Sequence, residues 1–202
     1  MNAARPRLGV LGGSFDPPHL GHLVIASEAF ARHGLERVLF APAAAPPHKF
    51  AERSTSAQVR LEMTGLAIAD DPRFAVSEVE LERGLVFTRD TMAAVAARHP
   101  GYELAFIMGS DSLLQFDTWH DAGGVLELCT LLVAVRPGDD RRAVHATAAR
   151  WGTGAVVVIE SPLIGVSSSA VRARVAAGLP IRYLVPAAVE TLVHERGLYR
   201  SS

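Results

Sequence analysis

The 202-residue chain holds a single cysteine, Cys129, so no disulfide framework is available within it. That scarcity suits a reducing compartment, and Cys129, inside the apolar stretch 125–135, reads as a small buried hydrophobe. An excess of either charge is also missing: 20 Lys and Arg face 21 Asp and Glu, a formal net charge of −1. Such a balance gives no support for coating nucleic acid or binding an acidic membrane, so an anionic ligand must be held by locally placed groups. No apolar run approaches the roughly 20 residues that span a bilayer. Residues 1–7 carry charge without an adjoining signal-peptide core, and a cytoplasmic location is expected. Repeats, low-complexity tracts and long linkers are lacking too. With 49% hydrophobic and 20% charged residues, the expectation is one globular domain over 1–202, its C-terminal helical part from about 166 packing on the rest.

What the chain does have is a strand–loop–helix opening. Leu8-Gly9-Val10-Leu11 reads as a buried first strand, and residues 23–31 have the apolar spacing of a helix. Between them runs Gly12-Gly13-Ser14-Phe15-Asp16-Pro17-Pro18-His19-Leu20-Gly21-His22. Two glycines at a strand end permit a sharp turn and close approach of a ligand to the backbone. His19 and His22 lie one turn apart, so both rings can face one side. The helix start, with its unpaired amides and positive dipole end, favours phosphate. The string therefore reads as a nucleotide site, the alternative being an ordinary turn with His19 as helix cap. Neither G-x-x-x-x-G-K-[ST] nor an opening G-x-G-x-x-G is present.

Further along, strands are expected at 37–40, 74–77, 103–108, 130–135 and 155–159, alternating with helices. Thr55-Ser56-Ala57-Gln58 resembles a capping box opening a helix to Ala69. Other helices are expected from Thr88 or Asp90 to Arg98, from Asp140 to Trp151, from the Val166–Arg172 stretch to Ala177, and from Pro186 to His194. This alternation predicts an α/β, doubly wound, Rossmann-like parallel sheet with helices on both faces. Its strand ends feed a small set of loops. The proline-rich stretch 41–49 offers His48 and Lys49, as phosphate contacts or as a solvated basic tip. Asp111 either binds ribose or a phosphate-bound metal, or caps the turn that follows. Trp119 either covers the core or stacks on a flat ligand ring. Ser167, Ser168 and Ser169 satisfy helix amides or grip phosphate, and Arg172, one turn in, reaches phosphate or solvent.

His19-Leu20-Gly21-His22 resembles the HxGH signature of the nucleotidyltransferase superfamily, and the longer string resembles bacterial nicotinate-nucleotide adenylyltransferases. Four further stretches are similar to that family: Pro46-Pro47-His48-Lys49, Gly109 through Trp119, Arg136-Pro137-Gly138, and Val166-Ser167-Ser168-Ser169-Ala170-Val171-Arg172. The closing Gly197-Leu198-Tyr199-Arg200 also looks like the family's usual end. The resemblance implies a nucleotidyltransferase-type fold and transfer of the adenylyl group of ATP to nicotinate mononucleotide, with Mg²⁺ on the ATP phosphates. Both partners are then small molecules, with no nucleic acid or membrane; a homo-oligomer is left open. It assigns catalysis to His19, His22 and Arg172. Gly12, Gly13, Ser14, Phe15, Gly21, Lys49, Gly109, Asp111, Arg136 and Ser168 fall to ATP and its phosphates. Trp119 falls to the pyridine ring, the backbone near Thr88 to its carboxylate, and His48 to the same nucleotide. The chain departs from the family at Leu85-Val86-Phe87-Thr88, where Pro-Ser-Tyr-Thr is usual.

Three other readings compete. A phosphopantetheine adenylyltransferase or a cytidylyltransferase would share the HxGH element. A metal hydrolase built on His19, His22, His48 and Asp111 lacks HExxH or comparable ligand spacing. A nucleotide sensor without turnover would dispense with a catalytic histidine, yet both are present.

Overall fold

The computed structural model describes residues 5–44, 55–162 and 164–200. Six strands run through them: β1 (Arg7–Gly13), β2 (Leu35–Pro42), β3 (Phe74–Val76), β4 (Glu103–Gly109), β5 (Cys129–Ala134) and β6 (Val156–Ile159). They pair in parallel in the order β3-β2-β1-β4-β5-β6. The helices are α1 (Leu20–Arg32), α2 (Ala57–Ile68), α3 (Val79–Arg83), α4 (Thr88–Arg98), α5 (Ser110–Leu113), α6 (Ala122–Leu128), α7 (Arg141–Arg150), α8 (Ser168–Ala176) and α9 (Ala187–Glu195).

The central strands are continuous apolar runs because both faces of the sheet are covered. Successive side chains point to opposite faces. Leu11, Phe40, Ile107 and Leu132 accordingly join one apolar cluster, together with residues of α1, α2, α8 and α9. Their neighbours Val10, Leu39, Phe106 and Leu131 join the other, with residues of α4, α6 and α7. Val171, Val175, Val189 and Val193 lie in the first cluster, so the last two helices pack on the same sheet face as α1. Register sets Leu11 beside Ile107, and Gly13 beside Pro42. Between β1 and β4 the strand order reverses, and a crevice opens there beyond the carboxyl ends. The Gly-Gly pair ends β1 at that crevice, and Gly109 ends β4 there.

Several local expectations are corrected. The cap of α2 is Ser56, whose Oγ accepts from the Val59 amide, rather than Thr55. Helix α8 begins at Ser168, because Ser167 caps it by accepting from the Ala170 amide. Asp111 is no cap: it lies inside α5, whose cap position is Gly109. The 78–83 stretch, whose acidic and apolar residues alternate, folds as the short helix α3, stopped by Gly84 at φ 62°.

Candidate active site

The loop between β1 and α1 is fixed from both sides. Phe15 sits at φ 49°, a left-handed conformation that costs a side-chain-bearing residue about 1–2 kcal/mol. Burial of its ring offsets this: Phe15 is 1% exposed, tilted against Phe40 at 5.7 Å and edge-on to His22 at 4.9 Å. The Asp16–Pro17 peptide is cis. His19 occupies the cap position of α1 in extended geometry, and its amide donates to Nδ1 of His22 at 3.1 Å. The first helical amide is not free for a ligand, since Leu20 N donates to the carbonyl of Leu184 at 3.0 Å.

The two imidazoles stack, centroids 3.7 Å apart at 26°. Gly21 makes room for this, because a Cβ there would meet His19 Nδ1 at 3.0 Å. His19 is buried, and its Nδ1 has no hydrogen-bond partner among the described residues. Burial, with a smaller push from the Arg136 guanidinium, lowers His19 from 6.5 to about 4. Burial also carries His22 well below 6.5, helped by His19 and then Arg136. Both rings are therefore neutral at pH 7. With Nδ1 of His22 accepting, its proton rests on Nε2, which leaves that atom as a donor.

The opposite rim comes from β4 and β5. Arg136, just after β5, pairs with Asp111 Oδ2 at 2.9 Å, while Asp111 Oδ1 is buried without a partner. Gly109 admits this pair: a Cβ would lie 2.6 Å from Asp111 Oδ1 and 2.8 Å from Arg136 Nε. Ser110, fully buried, accepts from the Arg136 amide and donates to Asp139, which sets the loop carrying Arg136. His19, His22 and Arg136 line a cavity of about 240 Å³, closed by Pro162, Ile164 and Val166 beyond β6.

Not every expected residue reaches this cavity. Gly12 abuts the Phe106 ring and Gly13 that of Phe15. Ser168 Oγ donates to the carbonyl of Pro17 at 2.9 Å. Arg172 donates to the carbonyl of Asp16 at 2.7 Å and to Ser169 Oγ, so it ties α8 to the loop instead of lining the cavity. Trp119 lies partly buried, edge-on to Phe106 and Phe116, and belongs to the other face's apolar cluster. It therefore covers the core and does not line the cavity that holds the imidazoles. Thr88 begins α4, preceded by Phe87, whose ring stacks on His120 at 4.2 Å and so brings α4 beside the Trp119 loop. His48 and Lys49 lie outside the described residues.

Sequence reading missed several contributors. Asp139, Pro162 and Ile164 carry no motif of their own, and Ser110 and Val166 lie inside family-like stretches without a role assigned to them. Arg60 and Tyr199, which grip the β1–α1 loop, sit in amphipathic or tail contexts where only the fold reveals them.

A six-stranded parallel sheet whose order reverses beside a His-x-Gly-His turn defines a nucleotidyltransferase-type α/β protein. The family model described as cytidylyltransferase-like matches residues 10–174. A "probable nicotinate-nucleotide adenylyltransferase" of Saccharopolyspora erythraea is 44% identical over 97% of this chain and 91% of its own length. One of Symbiobacterium thermophilum is 43% identical over 96% and 95%. The nicotinic acid mononucleotide adenylyltransferase of Plasmodium falciparum, solved in complex with NaAD, shares the fold with a TM-score of 0.80, at 16% identity over 96% of this chain and 97% of that one. The chain belongs to the cytidylyltransferase-like family and, within it, to the nicotinate-nucleotide adenylyltransferases. Among the described residues no helix is long and apolar enough to cross a membrane.

The depressed pKa of His19 has a stability signature. Its folded value of about 4 lies below 6.5, so the fold favours the neutral ring. That contribution is complete above pH 6.5 and is lost as pH falls toward 4, at about 1.4 kcal/mol per unit. Denaturant unfolding at pH 7 and 4.5 should show His19→Asn losing about 2–3 kcal/mol less than the wild type across that interval. Equal losses would mean that the ring titrates normally.

Proposed function

We propose that this chain transfers the adenylyl group of ATP to nicotinate mononucleotide, forming nicotinate adenine dinucleotide and pyrophosphate in NAD biosynthesis. The observation that carries the reading is the stacked His19–His22 pair at the sheet's switch point, inside the segment matched by the family model. The reading takes residues 1–202 as one nucleotidyltransferase domain working in the cytoplasm.

A phosphate oxygen of the acceptor attacks the α-phosphorus in line, and the bond to the bridging oxygen breaks as pyrophosphate leaves. No nucleophilic side chain is required, so catalysis rests on positioning and on donors aimed at the phosphoryl oxygens. His22 offers Nε2–H, His19 stands against it, and Arg136 supplies a fixed cation on the facing rim. The imidazoles are neutral only while the site is empty of anions. Triphosphate charge beside them favours the protonated form, so binding draws protons from solvent. Gly12, Gly13, Ser14, Phe15, Gly21 and Gly109 shape the cradle, while Ser168 and Arg172 lock its far side through Pro17 and Asp16. Trp119 receives the pyridine ring, and the backbone near Thr88 at the start of α4 receives its carboxylate.

The donor set fits Mg²⁺ carried on the nucleotide. Such an ion takes one or two carboxylates plus substrate phosphates. Asp111, with its unpartnered Oδ1, is the residue placed to provide one. The ion would neutralise charge on the triphosphate; the chain's own part is to orient that triphosphate and to hold Arg136 until phosphate replaces Asp111.

The deciding experiment is pyrophosphate release with ATP and Mg²⁺, offering nicotinate mononucleotide, nicotinamide mononucleotide and phosphopantetheine in parallel. Fastest turnover is expected with the nicotinate nucleotide; release with phosphopantetheine alone would defeat the proposal. His22→Ala should lower kcat by about 10²–10³, the usual loss for one transition-state donor. A variant within threefold of wild type would remove His22 from that role. Trp119→Ala should raise KM for the acceptor well above any change in KM for ATP, whereas equal effects on both would argue against stacking.

A further inference from the structure

Arg60 is 1% exposed, among the most buried large side chains of the protein, and among the described residues no carboxylate pairs with it in an ion pair. Its guanidinium is spent on backbone instead. Nη1 donates to the carbonyl of Ser14 at 2.7 Å, Nη2 to that of Ala43 at 2.6 Å and Ala44 at 3.4 Å, and Nε to that of Thr55 at 3.1 Å. These carbonyls belong to three segments: the loop after β1, the end of β2, and the residue ahead of α2. A buried cation is tolerated only where hydrogen bonds replace its water. Charge-assisted bonds this short are about twice as strong as neutral ones. Only a planar fork with donors in three directions can satisfy all of them; an ammonium cannot.

The same loop is held again two residues on. Asp16, 5% exposed, accepts from the Tyr199 hydroxyl at 2.6 Å through Oδ1 and from the Thr55 amide at 3.4 Å through Oδ2. Tyr199 itself is set at φ 63° near the end of the chain. On the other flank, Glu80 accepts from the Ala44 amide at 3.3 Å and from the Thr91 hydroxyl at 3.0 Å. Thr91 lies one turn into α4, the helix that begins at Thr88. A continuous brace thus runs from Ser14 and Asp16, through Arg60 and Ala43–Ala44, to Glu80 and α4.

From this geometry we infer that Arg60, seconded by Tyr199, is a positioning residue for the reaction: by fixing Ser14 and Asp16 it sets the direction in which His19 and His22 leave the loop. Arg60 touches neither ring nor any substrate; it acts through three to eight residues of chain. Between Ser14 and His19 the loop carries a left-handed Phe15 and two successive prolines, so the anchor at Ser14 acts together with the α8 anchors at Asp16 and Pro17 in aiming the imidazoles. The inference rests on the adenylyltransferase reading for its kinetic arm and on the imidazole geometry alone for its spectroscopic arm.

Arg60→Lys, Arg60→Ala and Tyr199→Phe are to be assayed well below their unfolding midpoints, with the folded fraction measured. The expected result for Arg60→Lys is a kcat lowered at least tenfold per folded molecule, with KM for ATP changed less than threefold. Millimolar guanidinium should restore a measurable part of the kcat of Arg60→Ala. Long-range ¹H–¹⁵N spectra should show His22 as a single Nε2–H tautomer in the wild type and as a mixture in Arg60→Lys. A purely structural arginine would lower the midpoint alone, leaving kcat per folded molecule within twofold and the tautomer unchanged; either finding overturns the proposal. Should neither Arg60 variant fold, Tyr199→Phe decides, with a kcat fall of at least threefold expected and an unchanged kcat overturning it. Wild-type protein with no turnover but a His22 tautomer that depends on Arg60 would sink the function and leave the inference standing.

Discussion

The hydrogen bond from the His19 amide to Nδ1 of His22 organises the rest of the site. It closes the first turn of α1, orients one imidazole flat against the other, and determines which nitrogen of His22 carries the proton. Because the bond consumes the polar edge facing the helix, the remaining edge is the only one left for a ligand. Burial then holds both rings neutral, which keeps two cations from facing each other at 3.7 Å.

Around this pair the molecule spends several buried polar groups on backbone alignment. Arg60, Asp16, Tyr199, Ser168 and Arg172 all terminate on the β1–α1 loop or the segments beside it. Ser110 and Asp139 do the same for the loop that carries Arg136. Such groups would be costly if unpaired, and each finds a partner: Arg60, Ser168 and Arg172 on main chain, Tyr199 and Asp139 on the side chains of Asp16 and Ser110. The flank beside α4 is built differently, from the exposed Phe87–His120 stack and a half-buried Trp119 resting on Phe106.

Much of the fold was legible before any coordinates. The continuous apolar runs announced strands covered on both faces, and all six appeared within a residue or two of their expected positions. Local chemistry misled where two neighbours could serve the same purpose. Thr55 and Ser56 both suit a cap, and only the path of the chain into α2 selects the second. Asp111 suited a cap equally well, but the reach of Arg136 across from β5 claims it for an ion pair. Glu78–Arg83 is too short for either periodicity to prevail, and packing under β2 made it helix.

The sequence by itself determined the class of fold, the strand ends where ligands gather, and the presence of two histidines at a helix start. These follow from short-range rules, the period of burial and the conformational freedom of glycine, which need no partner far along the chain. Tertiary structure alone decided that Arg172 faces the loop backbone, that Trp119 lies on the core, and that Arg60 and Tyr199 hold the histidine loop in place. Those assignments depend on contacts between residues as far as 183 positions apart. A side chain's role there is set by which distant carbonyl or ring the fold delivers to it, and no local pattern encodes that.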